Sequence, residues 1–457
     1  MTARGTLLAA AQPACPGRSI TPPARGSGAG SGLGRPTGPA GLPRLTSAGG
    51  RPTDLADHLA RHGRPAYRGR PGALIGEIAA SGLTGRGGAA FPVHRKLAAV
   101  QRAQGRPVVV ANAAEGEPAS RKDEFLLWRS PHLVLDGLQL AAEAVGATSA
   151  VLYAGRRGTL HDHLARALAE RASAGADLIG TDLVLAPEEF LAGEESALAD
   201  RLSGGSGLPG FKQVPVFRRG VGGRPTLVQN AETLAHLALI ARYGAGWFAA
   251  LGTPDEPGTM LCTVHAADGG VHVTEAALGT PLRALTGTGP DVQAVLCGGY
   301  HGAWLNGQDA ARLRLANADL RPAGAFTGAG VLAALPAGRC GLAETARVAR
   351  YLALESAGQC GPCFNGLPRI AAALGELAGP RPDRAVLADL TRWSGLVAGR
   401  GACKHPDGTV RFVASALSVF AAEADAHLRG RCTAATAEPF LPLPGQPGRR
   451  PTSRELR

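Results

Sequence analysis

Residues 107–123 read PVVVANAAEGEPASRKD, and the fold is decided there. Residues 107–112 form an unbroken apolar run rich in valine, the pattern of a strand covered on both faces of a parallel sheet. Asn112, Glu115 and Glu117 follow at its C-terminal end, where open α/β sheets hold their ligands. Working outward, residues 131–145 have helical spacing, 150–154 read as a strand, 160–171 as a helix and 182–186 as a strand. This alternation predicts a helix-covered, mostly parallel sheet. Upstream, short helices are expected over 54–59 and 73–81. Downstream, 226–243 (TLVQNAETLAHLALIARY) is read as one helix on the spacing of Leu234, Leu237 and Ile240.

The texture changes after residue 253. Residues 260–276, MLCTVHAADGGVHVTEA, place β-prone flanks around Ala-Asp-Gly-Gly, a hairpin signal. With 278–286, 292–297 and 303–305 they make a small α+β unit. Beyond Cys340 the apolar residues fall at three- and four-residue spacing over 342–355, 367–377, 386–397 and 410–428, which predicts a helical bundle. The expected division is a disordered segment 1–50, an α/β domain 53–250, an α+β domain 256–330, a helical domain 338–432 and a Pro-rich tail 433–457.

The 457 residues carry 48 Lys+Arg against 36 Asp+Glu, a net charge of +12. Residues 1–50 contribute five Arg and no acid, and 448–457 contribute four Arg and one Glu, which leaves +4 for the rest. No basic run interleaved with aromatics occurs, so no nucleic-acid partner is expected. No stretch of 18 apolar residues occurs, so no membrane span is expected, and the opening MTARGTLLAAAQPACPGR lacks the core of a cleaved signal peptide. Eight Cys are too sparse for a disulfide framework, and three of them, Cys360, Cys363 and Cys403, suggest metal chemistry in a reducing, cytoplasmic setting. Cys262 and Cys297 lie in apolar runs and read as buried structural thiols. Only four Lys occur, Lys96, Lys122, Lys212 and Lys404, so each is an uncommon choice.

Three further segments carry chemistry. Residues 81–92, SGLTGRGGAAFP, present Gly85, Gly87 and Gly88 in a loop whose N–H groups can approach a phosphate. Residues 190–198, FLAGEESAL, hold the adjacent carboxylates Glu194 and Glu195, and 225–233, PTLVQNAET, hold Asn230. A glycine-rich turn or an acidic helix start is ordinary alone. Four such clusters in this order are not. No G-x-G-x-x-G fingerprint and no Ser/His/Asp arrangement is present.

In this order the four segments resemble the NADH-binding flavoprotein subunit of respiratory complex I and the diaphorase subunits of soluble hydrogenases, over roughly residues 70–430. The resemblance implies an FMN-binding Rossmann-like domain, a small ubiquitin-like (SLBB) domain and a helical iron–sulfur domain. It implies FMN contacts from Arg86, Gly87, Gly88, Lys96, Asn112, Glu115, Glu194, Glu195, Gln229, Asn230 and Thr233, with Phe91 near the adenine of NADH. Glu117 and Glu195 would face the nicotinamide as catalytic residues, and the acidic rim would favour NADH over NADPH. The chain departs from the family at Ala114, Gly116, Ala99 and Gly222. Gly222 replaces an aromatic, and one lost stacking contact is worth about 1–3 kcal/mol.

The family's cluster run is Cys-x-x-Cys-x-x-Cys with a fourth Cys about forty residues on. ESAGQCGPCFNG (355–366) supplies Cys360 and Cys363, and Cys403 supplies the distal ligand, but Ala357 stands in the first position. A 4Fe–4S cluster is expected on those three Cys, with Cys432, His405 or Cys340 as alternatives for the fourth ligand. The resemblance implies hydride transfer from NADH to FMN, then single electrons through the cluster to a ferredoxin-like or other redox subunit. The alternatives are an Rnf-like, ferredoxin-linked relay that does not use NADH, and a non-enzymatic scaffold or ligand-binding protein that has lost its cofactors.

Overall fold

In a computed structural model, the described residues are 38, 41–47, 51–155, 158–211, 214–287, 289, 291–436 and 438–445. The expected disordered segment lies mostly outside them, as does Lys212.

The first sheet is parallel and has the order β3-β2-β1-β4, with β1 Val108–Ala113, β2 Ser149–Gly155, β3 Thr181–Ala186 and β4 Thr226–Asn230. The valines of β1 are buried on both faces, as the apolar run predicts. From β1 the chain steps outward to β2 and β3, then returns to the other side of β1 for β4. The order therefore reverses between β1 and β4. Such a switch point opens a crevice at the carboxyl ends of the two strands. Asn112 and Asn230 face each other there in register. Helix Pro131–Val145 is buried along nearly its whole length. Its Gly137 lies against the Leu234 backbone in helix Ala231–Tyr243, too close to admit a side chain.

The second sheet has the order β6-β5-β9-β7-β8, with β5 Thr259–His265, β6 Val271–Ala277, β7 Val292–Cys297, β8 Ala303–Asn306 and β9 Val331–Pro336. The hairpin forms where expected, between β5 and β6. Helices Gly341–Leu354, Leu367–Leu377, Ala385–Val397, His405–Val419 and Ala421–Leu428 complete the chain. The expected fold class, a parallel α/β sheet joined to a smaller mixed unit and a helical C-terminal region, holds.

Several expectations are corrected. The segment 226–243 is not one helix: its first five residues are β4, and Asn230 both ends the strand and caps the helix by accepting from the Glu232 N–H. The segment 410–428 belongs to two helices, broken at Phe420, whose ring packs on Gly341 and edge-on to Trp304. Within the segment expected to be disordered, residues 41–47 are placed. Leu45 is buried, the Arg44 and Leu45 N–H groups donate to Glu275, and the Arg44 guanidinium lies over Trp247. In the tail, the Phe440 and Leu441 N–H groups donate to Glu344, and Leu441 is buried.

Candidate active site

The crevice is assembled by backbone and side-chain bonds that draw the four segments together. The Arg86 N–H donates to Thr233 Oγ1 at 2.9 Å, which seats the glycine loop on the helix that follows β4. Gly87 then lies so near Asn230 that a Cβ would come within 3.3 Å of it. Asn112 Nδ2 donates to the Gly193 carbonyl at 2.9 Å and holds the acidic turn over the end of β1. Glu194 caps helix Glu195–Leu202 by accepting from the Ser196 and Ala197 N–H groups. Lys96 Nζ donates to the Val228 carbonyl at 2.8 Å and pairs with Glu195 at 3.1 Å. Gln229 is buried, and its Nε2 has no hydrogen-bond partner among the described residues.

Not every residue singled out points its side chain into the crevice. The Arg86 guanidinium turns inward and donates to the Thr259 carbonyl and to Thr84. Glu115 sits at φ 45°, a strained left-handed conformation for a non-glycine residue. Its carboxylate accepts from the Ser120 hydroxyl and from the Asp123 and Glu124 N–H groups, so it fastens helix Lys122–Arg129. Phe91 is 52 % exposed. Glu117 reaches the second sheet, accepting from the Tyr300 N–H at 2.8 Å, and burial of its carboxyl group pushes it up to about 7. Two of the departures have local reasons. A Cβ at Gly116 would collide with the carbonyls of residues 189 and 190, and Gly222 sits at φ 58°, where glycine is favoured.

Sequence reading missed the charged centre beneath the crevice. Lys122, one of the four lysines, is buried and pairs with Asp123 at 2.8 Å and Glu232 at 3.0 Å. Burial alone would lower its pKa, but the two carboxylates outweigh that and raise it. Glu232 behaves conversely: burial is outweighed by Lys122, His236 and Arg86, and it falls to about 2. Lysine rarity was the available signal.

At the C-terminal helices, Cys360 and Cys363 bring their sulfurs to 3.6 Å across a π-helical turn, Pro362–Gly366. Cys363 is buried, and burial with the neighbouring Cys360 and Cys403 pushes its thiol up to about 11. Two thiols this close, with Cys403 near enough to act on Cys363 electrostatically, gain from a cation that accepts them as thiolates. His405 is committed elsewhere: its ring nitrogens lie 2.8 Å from the Leu352 carbonyl and 3.0 Å from His301 Nε2. Cys340 caps the far end of helix Gly341–Leu354, about 20 Å away at 1.5 Å per residue, and Cys432 lies beside it. None of the three alternatives for a fourth ligand is available at the Cys360–Cys363 turn.

One loop joins the two places. The Phe190 N–H donates to Glu355 at 2.9 Å, and its ring packs on His301, His405 and Tyr351. Three residues later Gly193 is held by Asn112.

The chain is similar to known proteins over most of its length. The family model described as the Nuo51 FMN-binding domain matches residues 78–239, and that of the NADH-ubiquinone oxidoreductase-F iron-sulfur binding region matches residues 343–427. The F subunit of the NADH-quinone oxidoreductase of Rickettsia bellii is 31 % identical over 318 residues, 64 % of this chain and 75 % of the relative. The chain belongs to the family of NADH-quinone oxidoreductase F subunits. Another member, from Streptomyces coelicolor, is 29 % identical over 390 residues, 80 % of this chain and 86 % of that one. The family extends to the alpha subunit of the NAD-reducing hydrogenase HoxS of Cupriavidus necator, 31 % identical over 350 residues, 73 % of this chain and 57 % of that protein. A crystal structure of NAD+-reducing NiFe hydrogenase in the air-oxidized state superposes with a TM-score of 0.74 at 30 % identity, covering 83 % of this chain and 67 % of that one. Among the described residues no helix is long and apolar enough to cross a membrane.

Proposed function

We propose that the chain is the NADH-oxidising flavoprotein subunit of an electron-transfer complex, with FMN in the crevice between β1 and β4 and an iron–sulfur cluster at Cys360, Cys363 and Cys403. The observation that carries this reading is the convergence at the sheet's switch point of the glycine loop, the facing Asn112 and Asn230, the unpartnered Gln229 amide and the Glu194–Glu195 turn. Such a crevice suits a ligand with a phosphate for the N–H nest and a ring with polar edges. FMN supplies the chemistry of accepting a hydride from NADH and releasing electrons singly, which an iron–sulfur cluster then carries.

The remaining work falls to the chain's own residues. Gly87 and Gly88 admit the phosphate to the loop's N–H groups, with the Arg86 backbone rather than its guanidinium fixing the loop. Gln229 and Asn230 meet the polar ring edge. Lys96 is held by Glu195 at the rim, where both can reach a ligand. Glu195 orients the nicotinamide nucleotide and its negative charge disfavours a 2′-phosphate, while Glu117, anchored by the Tyr300 N–H, borders the nicotinamide side. Residues 53–250 form the nucleotide-binding part and 338–432 the cluster-bearing part; the spacer between them runs past the expected bound of 330, because β9, Val331–Pro336, is the middle strand of its sheet. The electron acceptor is a redox protein of the same complex, in the cytoplasm. A nicotinamide donor is favoured over a ferredoxin-linked relay because the relatives are named for NADH or NAD.

An anaerobic titration of the FMN-reconstituted, full-length chain tests this reading. NADH should bleach the flavin stoichiometrically and NADPH should do so far more slowly. A flavin that binds but is not bleached by NADH overturns the donor assignment, and a chain that retains no FMN overturns the site.

A further inference from the structure

A second cluster of metal-binding side chains lies outside the site above. We propose that Cys340, Glu423, His427 and Cys432 form a zinc site, separate from the iron–sulfur cysteines, that clamps helix Ala421–Leu428 to the start of helix Gly341–Leu354.

One ligand atom from each of these four residues lies within 4.8 Å of all the others. Cys340 Sγ is 3.5 Å from His427 Nε2. A tetrahedral zinc with Zn–S of about 2.3 Å and Zn–N of about 2.0–2.1 Å sets that edge at about 3.6 Å. His427 Nε2 is also 3.0 Å from Glu423 Oε1, and the Cys432 thiol reaches the same carboxylate. Two thiolates, an imidazole and a carboxylate suit zinc better than a hard oxygen-seeking cation.

The local sequence builds the site. Glu423 and His427 stand four residues apart on helix Ala421–Leu428 and so share one face. The break at Phe420 turns that face towards Cys340. Cys432 follows in the exit segment. Cys340 is the N-cap of helix Gly341–Leu354, and its sulfur accepts from the Ala343 N–H at 3.3 Å, which fixes the direction of the sulfur. Glu423 is oriented from outside by Thr433, whose N–H donates to Oε1 at 3.0 Å and whose hydroxyl donates to Oε2. Ligating carboxylates are held by such outer partners. Cys340 and His427 are buried, while Cys432 is exposed and leaves an entry path.

The consequence is structural. Cys340 and His427 are 87 residues apart in sequence. A metal joining them closes the whole helical region into one loop and removes much of the freedom of its unfolded chain.

The test uses the reduced, full-length protein, loaded anaerobically with zinc or with cobalt, desalted, and analysed for zinc and iron separately. We expect about one tightly held zinc per chain on the four-ligand model, a thiolate-to-cobalt charge-transfer band in the cobalt form, and a higher melting temperature with zinc. Cys432→Ser, in an exposed segment beyond the last helix, should fold, lose zinc affinity by at least about tenfold and keep its iron content. Four outcomes overturn the proposal. They are no zinc above background in the unmodified chain, a cobalt form without the thiolate band, a Cys340–Cys432 disulfide in the non-reduced peptide map, and a loss of iron in Cys432→Ser, which would place that thiol on the cluster instead.

Discussion

At the residue scale, Gly87 and Glu117 make the sharpest demands. A side chain at Gly87 would be driven onto Asn230, since even a Cβ comes within 3.3 Å, and it would occupy the phosphate's approach. Gly87→Leu is therefore expected to cut FMN retention at least tenfold, about 1.4 kcal/mol, with circular dichroism unchanged. Full flavin absorbance in a folded variant would remove FMN from this loop. Glu117, with its carboxyl pushed up to about 7, is protonated below that pH and charged above it. A charged Glu117 attracts the cationic ring of NAD+. Product inhibition by NAD+ should therefore strengthen severalfold as pH rises through 7, and Glu117→Gln should flatten that dependence. An unaltered pH profile in the variant would place Glu117 away from the nicotinamide.

At the element scale, the helix after β4 rests on the buried pairing of Lys122 with Glu232 and Asp123. Lys122→Met leaves two buried carboxylates without their cation and should cost about 3–5 kcal/mol, measured by urea unfolding. A loss under 1 kcal/mol would show that the pairing is not needed. Glu232 carries the acid sensitivity. Its pKa falls from 4.5 in the unfolded chain to about 2 in the native one. Its contribution is complete above 4.5 and is lost as pH falls towards 2. Glu232→Gln should lose that part of the acid dependence. The same elements explain what the sequence could and could not disclose. β1, β7 and the helices over 131–145 and 367–377 are long or apolar enough to announce themselves. β4 is five residues long and runs straight into a helix whose leucine spacing masks it. With β4 hidden, the switch point between β1 and β4 was not visible, although the residues that line it were. The Lys122 pairing was invisible for another reason: its members are a sequential pair and a distant glutamate, joined only by the fold. β9, between glycine turns, gave no periodic signal.

At the scale of the whole molecule, residues 438–445 of the Pro-rich end act as a brace. Glu344 accepts from two of its N–H groups, and Leu441 is 1 % exposed. Ending the chain at residue 437 should cost on the order of 2–4 kcal/mol, from one buried leucine and two hydrogen bonds to a carboxylate. Thermal unfolding of the shortened chain would reveal it, and an unchanged melting temperature would show the contacts to be incidental. The loop through Phe190 has a consequence for anyone recombining this chain with a relative. It lies within the nucleotide-binding half by sequence, yet its aromatic ring and N–H are seated on the cysteine-bearing helices and on His301. A hybrid joined anywhere between residues 250 and 338 would divide the chain cleanly in sequence but split this contact between two parents. The productive exchange is not a contiguous half. It is a helical region transplanted together with residues 189–195, a discontinuous graft whose success or failure would measure how far the spacing of the two redox centres is set by one aromatic side chain.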